Sequence, residues 1–386
     1  MGPVPSLVAA QLIRFTDTTL RDGEWTPGLV FSPSDKRAIA TRVDEVGVSR
    51  IEAGNPRISE EERDAVRAVM NADLDAVIFV LSRAEKAEIN TAVELGVDGA
   101  YIFPKEEEFD LTSTDYETDG FDSASAASRY AIDQGLDVTF YGFDIGRTTT
   151  EFIDHFFEQV DENIATTVSL VDQADIANPL ADQTVIEHMI EQSSVPVEAH
   201  LLNDFGLATA NSLFSAAAGA EVIDMKMNGL GERCGNPALE EVAAGLEHLF
   251  GQNTGIDLSQ MRSLATEIER RANYELAPNK PFMGDDIFQF CSWMIISGIQ
   301  KYPDDFLPFA PSMVGQATGF EVGKHSECPS FEVMLERRSI DPAELADEEY
   351  EELLEQVQMR AQTQKRPFED HEFFEMVRDL RPDLDV

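Results

Sequence analysis

Up to residue 250 the chain alternates between short apolar or β-branched runs and longer stretches in which apolar residues recur every three or four positions. The runs have the length of buried strands, and the longer stretches have the period of amphipathic helices. Between Lys36 and Val46, for example, Ile39, Val43 and Val46 share one helix face. The predicted strands are Leu12–Asp17, Arg50–Ala53, Ala76–Leu81, Ala100–Phe103, Asp137–Tyr141, Thr166–Val171, Pro196–His200 and Val222–Met227.

Helices are predicted between these strands, with Ser34 and Ser59 as N-caps. Strands that alternate with helices form parallel sheets, and eight such units in about 250 residues are typical of a (β/α)8 barrel. A doubly wound open sheet is the alternative, but no Gly-x-Gly-x-x-Gly motif follows the first strand. The predicted fold class is therefore α/β: a (β/α)8 TIM barrel over residues 10–250, followed by a small helical C-terminal appendage over residues 251–386.

The charge of the chain excludes two classes of partner. Its 73 acidic and 29 basic residues give a net charge of −44, spread along the sequence. Such a surface repels nucleic acid and anionic membranes, so neither is an expected partner. A dispersed acidic surface is typical of adaptation to high salt, which predicts a halophilic source. The three cysteines lie far apart without a Cys-x-x-Cys motif, which favours a reducing cytoplasm.

Charged residues follow the first predicted strand. In a barrel of this kind the active site lies at the carboxyl ends of the strands. There the sequence places Arg21, Asp22 and Glu24 around Gly23. Asp22 is a candidate metal ligand, and Arg21 is a candidate for stabilising an oxyanion and binding substrate. Glu24 is a candidate catalytic residue, and a surface turn with a local ion pair is the alternative interpretation.

Polar residues also follow the seventh and eighth strands. His200 ends strand seven, and a glycine-spaced polar loop follows strand eight. Strands one, seven and eight are neighbours in a closed barrel, so Asp22, His200 and Asn236 are predicted to converge as a metal site. Two oxygens and one imidazole suit Mg²⁺ or Mn²⁺. The candidate substrate-binding residues in the strand-end loops are Arg21, Lys105, Asp144, Arg147, Asn203, Asn228 and Glu232.

Several motifs together resemble one enzyme family. They are Phe15–Glu24, Asn203–Ser212, Asn228–Val242, Pro278–Gly284 and Val322–Ser326. Over residues 12–380 the chain is similar to the isopropylmalate, homocitrate and citramalate synthases of the DRE-TIM metallolyase superfamily, to which hydroxymethylglutaryl-CoA lyase is related. The regulatory domain of isopropylmalate synthases has no counterpart in this sequence, so homocitrate synthase is the nearest architecture.

The resemblance implies an acyltransferase of amino-acid biosynthesis. Such an enzyme condenses an acyl-CoA with a small 2-oxo acid in a Claisen-type reaction, with acetyl-CoA as co-substrate and a divalent metal as cofactor. It also implies a homodimer, for which the apolar segment Phe288–Ile299 is the predicted surface. Two alternatives remain: a lyase or aldolase that acts on a 2-oxo acid without acetyl-CoA, and a non-catalytic relative that serves as a binding or regulatory subunit.

The departures from the family pattern concern the metal and the base. Leu202 stands where the family has the second His of a His-x-His metal motif, and Phe143 replaces a Glu used in acetyl-CoA chemistry. Loss of an imidazole disfavours Zn²⁺ relative to Mg²⁺ or Mn²⁺. Lys226 replaces a Thr on strand eight. As a buried amine of lowered pKa, Lys226 is a candidate base or Schiff-base residue, and an ion pair with Asp22, Glu24 or Asp224 is the alternative.

Overall fold

The computed structural model describes residues 13–103, 119–144, 149–172 and 179–384. Lys105 and Arg147, two predicted substrate-binding residues, lie outside these ranges, and so does the side chain of Asp144. The chain divides into two compact units, one that ends at Leu276 and one that spans Ala277–Val386.

The first unit is a closed barrel of eight parallel strands in sequential order, which confirms the predicted fold. The first strand pairs with the second and with the eighth, so that Thr16 lies beside both Arg50 and Asp224. The strands are β1 (Arg14–Asp17), β2 (Arg50–Glu52), β3 (Val77–Arg83), β4 (Gly99–Phe103), β5 (Asp137–Asp144), β6 (Thr167–Val171), β7 (Val197–His200) and β8 (Val222–Met225).

A helix follows each strand of the barrel. Helix α1 begins one residue after Ser32, whose side chain forms a capping box with Asp35. Ser32 and not the predicted Ser34 is therefore the N-cap, while Ser59 caps α2 as predicted. The helices are α1 (Pro33–Glu45), α2 (Glu60–Met70), α3 (Lys86–Leu95), α4 (Asp119–Asp133), α5 (Thr150–Gln159), α6 (Pro179–Gln192), α7 (Ala208–Ala218) and α8 (Leu239–Phe250).

The barrel unit extends beyond the predicted boundary at residue 250. Helix α9 (Met261–Ala272) packs against α1 and buries Met261, Leu264 and Ile268. Its polar face is tied to α1 by an ion pair between Arg271 and Asp35 at 2.9 Å. Helix α9 is therefore part of the barrel unit, and the boundary between the two units falls after Leu276.

The interior of the barrel holds a buried polar group that we call the inner cluster: Thr16, Arg50, Tyr101, Thr139 and Glu198. Glu198 Oε2 accepts hydrogen bonds from Tyr101 at 2.8 Å and from Thr16 at 3.2 Å. Arg50 lies 3.4 Å from the same oxygen and also donates to Thr139. One acid is thus matched by one cation and by neutral hydroxyl groups.

The second unit is helical with its own apolar core. Its elements are β9 (Gln289–Phe290), α10 (Trp293–Lys301), α11 (Pro303–Phe306), β10 (Gly319–Phe320), α12 (Cys328–Arg337), α13 (Asp347–Gln364) and α14 (Asp370–Leu380). Phe331, Leu353 and Phe373 are fully buried at the centre of α12, α13 and α14. None of the described helices is long and apolar enough to cross a bilayer.

Candidate active site at the barrel mouth

Four buried ionisable side chains meet at the carboxyl end of the strands. Asp22 follows β1, His200 ends β7, Asp224 lies in β8, and Lys226 follows β8 directly. We call these four residues the mouth cluster. The predicted meeting of Asp22 and His200 is seen directly, since His200 Nε2 lies 3.3 Å from Asp22 Oδ2. Barrel closure brings them together because β8 pairs with both β1 and β7.

Lys226 bridges the two carboxylates of the mouth cluster. Its Nζ lies 2.8 Å from Asp22 Oδ2 and 2.5 Å from Asp224 Oδ1, and its side chain is fully buried. Its backbone is fixed as well, because its N–H donates to the Pro237 carbonyl and its own carbonyl accepts from Leu239 at 3.0 Å each.

The ammonium of Lys226 is held in its charged form. Burial alone would lower the pKa of Lys226, but the two neighbouring carboxylates outweigh it and raise the pKa above its ordinary value. The lowered pKa considered from the sequence is therefore not found, and the structure shows the alternative, an ion pair of Lys226 with Asp22 and Asp224. A charged ammonium acts as a hydrogen-bond donor and a fixed positive charge rather than as a base.

His200 lies between the same two acids. Its Nε2 faces Asp22, and its Nδ1 lies 3.2 Å from Asp224 Oδ2. Burial alone would lower the pKa of His200, but Asp224 and Asp22 raise it to about 9. For Asp22, burial is outweighed by Lys226 and Arg21, which hold its pKa well below the ordinary range. The cluster therefore contains two carboxylates, an ammonium and an imidazolium at neutral pH.

Arg21 extends the cluster toward strand two. Its Nε and Nη2 both lie 2.7 Å from Glu52 Oε2, and its Nη1 lies 3.2 Å from Asp22 Oδ1. The ring of Trp25 covers the guanidinium at 5.1 Å. Burial raises the pKa of Glu52 to about 7 against the opposing charge of Arg21, and Glu52 Oε1 accepts no hydrogen bond from a described residue.

Glu52 is not among the residues predicted from the sequence, and Asp224 was predicted only as an ion-pair partner. Both are buried on strands of the barrel, whereas the predicted residues lie at strand ends and in the loops that follow. The signal available was an acid at the last position of strand two and an acid two residues before Lys226 on strand eight, because alternate strand residues share a face.

Glu24, predicted to be catalytic, is engaged elsewhere. Its Oε2 lies 2.6 Å from Nζ of the fully buried Lys36, and its Oε1 accepts from the Phe31 backbone at 2.7 Å. Lys36 in turn binds Glu62 at 2.7 Å. Both oxygens of Glu24 thus hold the loop after β1 against helix α1, and its catalytic role stays a prediction.

The glycine-rich loop after β8 contains three of the predicted residues. Asn236 is buried, its Nδ2 donates to the Leu201 carbonyl at 2.7 Å, and its Oδ1 accepts no hydrogen bond from a described residue. Asn228 has a positive φ of 64° and donates to Glu240 through its backbone, so it shapes the loop. Glu232 forms an ion pair with Arg233 at 2.8 Å, and Arg233 also forms an ion pair with Asp204.

After β7, Asn203 serves the start of a helix. Its Oδ1 accepts from the backbone of Ala208, the first residue of α7, at 3.2 Å. The predicted binding roles of Asn203, Asn228 and Glu232 stay predictions, since each side chain or backbone has a local structural partner.

Comparison with known proteins identifies the family. The HMGL-like family model matches residues 12–268. Homocitrate synthase AksA of Methanopyrus kandleri is 34% identical over 86% of this chain and 84% of that protein. The (R)-citramalate synthase CimA and the 2-isopropylmalate synthase of Methanocaldococcus jannaschii are each 32% identical, over 90% and 91% of this chain and 70% and 68% of their own lengths.

The chain belongs to the HMGL-like family. Its relatives are named as synthases, so it belongs to a family of enzymes. The HMG-CoA lyase of Bacillus subtilis has the same fold, with a TM-score of 0.61 at 22% identity over 71% of this chain and 97% of the lyase. This agrees with the resemblance that the sequence motifs indicated.

The structure offers some of the ligands that a divalent ion needs. One ligand atom from each of Asp22, His200 and Asp224 lies within 4.8 Å of the others. The buried oxygens Asp22 Oδ2 and Asn236 Oδ1 also accept no well-aligned hydrogen bond from a described residue. Asp224 is thus a potential ligand that the predicted set of Asp22, His200 and Asn236 did not include.

The positive charges of Lys226 and His200 would repel a divalent ion bound at this position. A metal on Asp22 Oδ2 would lie next to the Lys226 ammonium, which is 2.8 Å from that oxygen. Two unit charges about 4 Å apart interact by about 4 kcal/mol at an effective dielectric of about 20, and a divalent ion doubles that repulsion. His200 ligates a metal only through a deprotonated nitrogen, yet both of its nitrogens face carboxylates. With the Lys226 ammonium in this position, Asp22, His200 and Asp224 do not fit a divalent ion.

Proposed function

We propose that this protein joins an acyl-CoA to a small 2-oxo acid in a Claisen-type condensation, as a synthase of the homocitrate or isopropylmalate type. The observation that carries the proposal is the buried group of Arg21, His200 and Lys226 at the end of the barrel where active sites lie. The names of relatives that match most of the chain support the same chemistry.

The reaction needs positive charge where an oxyanion develops. The acyl-CoA methyl group loses a proton, and its carbon attacks the carbonyl carbon of the 2-oxo acid. The carbonyl oxygen becomes an alkoxide that takes up a proton, and water then cleaves the thioester and releases the free thiol of CoA. Arg21 and Lys226 supply fixed charges for the carboxylate and the developing alkoxide.

Two residues of the site can move protons in this scheme. Imidazolium His200 can donate a proton to the alkoxide, since its pKa of about 9 keeps it protonated at neutral pH. Glu52 has a buried oxygen that accepts no hydrogen bond from a described residue and a pKa of about 7, which suits a group that accepts a proton. Asn236 Oδ1 is a buried acceptor for a substrate hydroxyl or for water.

The test is thiol release from acetyl-CoA in the presence of a panel of 2-oxo acids. We expect release that depends on one of these acids and falls sharply in Arg21→Lys, because a lysine does not reproduce the two contacts to Glu52. Arg270→Lys, on the exposed face of α9, is the matched control and retains activity. Cleavage of a 2-oxo acid adduct without CoA would favour the lyase or aldolase, and binding without turnover would favour the non-catalytic subunit.

The assembly and environment of the protein are also proposals. Within the predicted dimer segment, Phe288, Ile296 and Ile299 are buried in the second unit, whereas Trp293 and Met294 are exposed. These two side chains support a homodimer, which light scattering in molar salt tests, and a monomer mass would contradict it. A cytoplasmic location and adaptation to high salt follow from the cysteine spacing and the charge, and equal melting temperatures at low and molar salt would contradict the adaptation.

A further inference from the structure

The mouth cluster raises the question of what cation its acids bind. Asp22 and Asp224 come from adjacent strand ends, and two carboxylates buried this closely need positive charge between them. In a metalloenzyme that charge is a divalent ion. Here the described contacts show another source, the side chain of Lys226.

Lys226 is built to stay in this position. It enters from β8, its backbone is bonded on both sides to the start of α8, and none of its side chain is exposed. Asp224 Oδ1 accepts from Lys226 and also from Thr18 at 3.1 Å, which fixes the carboxylate that receives the ammonium. The lysine is thus an ordered part of the core rather than a surface side chain that has folded inward.

The neighbouring residues lack what a metal would require. Leu202 is buried two residues after His200 and offers no donor atom. His200 is held by two carboxylates, at 3.3 Å on one ring nitrogen and 3.2 Å on the other, so neither nitrogen is directed at a shared ion. Asn236 Oδ1 remains the one predicted ligand atom without a described partner.

We propose that the Lys226 ammonium is the resident cation of the mouth cluster. This side-chain cation takes the place of the divalent ion that the family resemblance implies. Its Nζ donates a hydrogen bond to Asp224 Oδ1 and lies 2.8 Å from Asp22 Oδ2. An ammonium carries three N–H donors, and we infer that one of them binds an oxygen of an anionic substrate. This last step rests on the proposed function, whereas the replacement of the metal does not.

Metal binding tests the replacement without any assay of activity. The wild-type protein, dialysed against chelator and then titrated with Mn²⁺ at high salt, is expected to bind no ion at the mouth and to show no rise in melting temperature. Lys226→Thr combined with Leu202→His removes the ammonium and supplies a second imidazole. We expect that variant to bind one Mn²⁺ per chain and to be stabilised by it.

Two single variants control for the loss of a buried lysine. Lys226→Arg keeps the charge and is expected to bind no Mn²⁺. Among the described residues, Lys36 is also fully buried and lies between two carboxylates, Glu24 and Glu62, where no histidine contact is described; Lys36→Thr removes it. We expect Lys36→Thr to be less stable than the wild type. In its NMR spectrum, added Mn²⁺ should not broaden the resonances of His200, because no metal site forms at the mouth cluster.

Tight binding of one Mn²⁺ or Mg²⁺ per wild-type chain, or loss of wild-type stability on chelation, would overturn the proposal even if no variant folds. Activity is a separate readout. If thiol release is found, we expect it to persist in chelator, and release that requires added metal would contradict the replacement. If no 2-oxo acid gives thiol release, the proposed function fails while the metal-binding result still stands.

Discussion

Two buried polar clusters lie in the same barrel, and they are built differently. In the inner cluster one acid, Glu198, is matched by one cation and by the neutral hydroxyls of its neighbours. In the mouth cluster both acids face cations: Lys226 and His200 contact each of them. The charged side chains of both clusters are buried, so burial alone does not distinguish the candidate active site from the inner cluster.

The difference lies in what each cluster can offer a ligand. In the inner cluster Tyr101, Thr16 and Arg50 all hold the same oxygen of Glu198, so the cluster fills and fixes the interior of the barrel. The mouth cluster instead places two ionised donors, the Lys226 ammonium and the His200 imidazolium, between its acids at the strand ends, where the active sites of such barrels lie. Variants that remove matched groups from the two clusters should therefore separate stability from function.

The largest expected effect is on turnover in Lys226→Met. Removal of a preorganised donor lowers kcat by about 10²–10³-fold. The variant also leaves two buried acids without their shared ammonium, which costs about 3–5 kcal/mol in the free energy of unfolding. Thiol-release kinetics and denaturant unfolding measure the two effects.

Arg50→Met is the matched change in the inner cluster. It leaves Glu198 without its cation, so a loss of about 3–5 kcal/mol in unfolding free energy is expected here too. The folded fraction should keep the wild-type kcat. If Arg50→Met reduced kcat as much as Lys226→Met, the division of roles between the clusters would be wrong.

The stability of the protein should depend on pH through His200. Its pKa is about 9 in the folded state and about 6.5 in an unfolded chain, so the folded state binds the proton more tightly. This stabilisation is fully present below pH 6.5 and is lost as the pH rises through 9. The free energy of unfolding should fall by roughly 3 kcal/mol over that interval.

His200→Gln isolates this contribution, because glutamine does not titrate. Urea unfolding at several pH values gives the free energy of unfolding of wild type and variant. The difference between the two free energies should shrink as the pH rises from 6.5 to 9. A constant difference across that range would show that His200 is not an imidazolium held by the two acids.

The smallest effect is expected for Tyr101→Phe. It removes the 2.8 Å hydrogen bond to Glu198 and leaves the ring, so the loss is about 1–3 kcal/mol in unfolding free energy. No change in kcat or in its pH dependence is expected. A shift in the pH profile of turnover would show that the inner cluster acts on the chemistry.

The fold followed from local pattern, whereas the site followed only in part. The alternation of strands and helices is a property of short segments, and it predicted the closed barrel and the meeting of Asp22 with His200. The sequence left Lys226 with two interpretations, a base of lowered pKa or an ion pair with a nearby acid, and the structure shows the ion pair with Asp22 and Asp224. Strand register had to be known before Glu52 could be placed beside Arg21.

Anomalous diffraction from crystals soaked in Mn²⁺ would show whether a metal ion or the Lys226 ammonium lies between the two acids of the mouth cluster. We expect Lys226 Nζ between Asp22 and Asp224, and no anomalous peak within ligand distance of His200. A peak bound by Asp22, His200 and Asn236, with the lysine displaced from the carboxylates, would contradict this expectation.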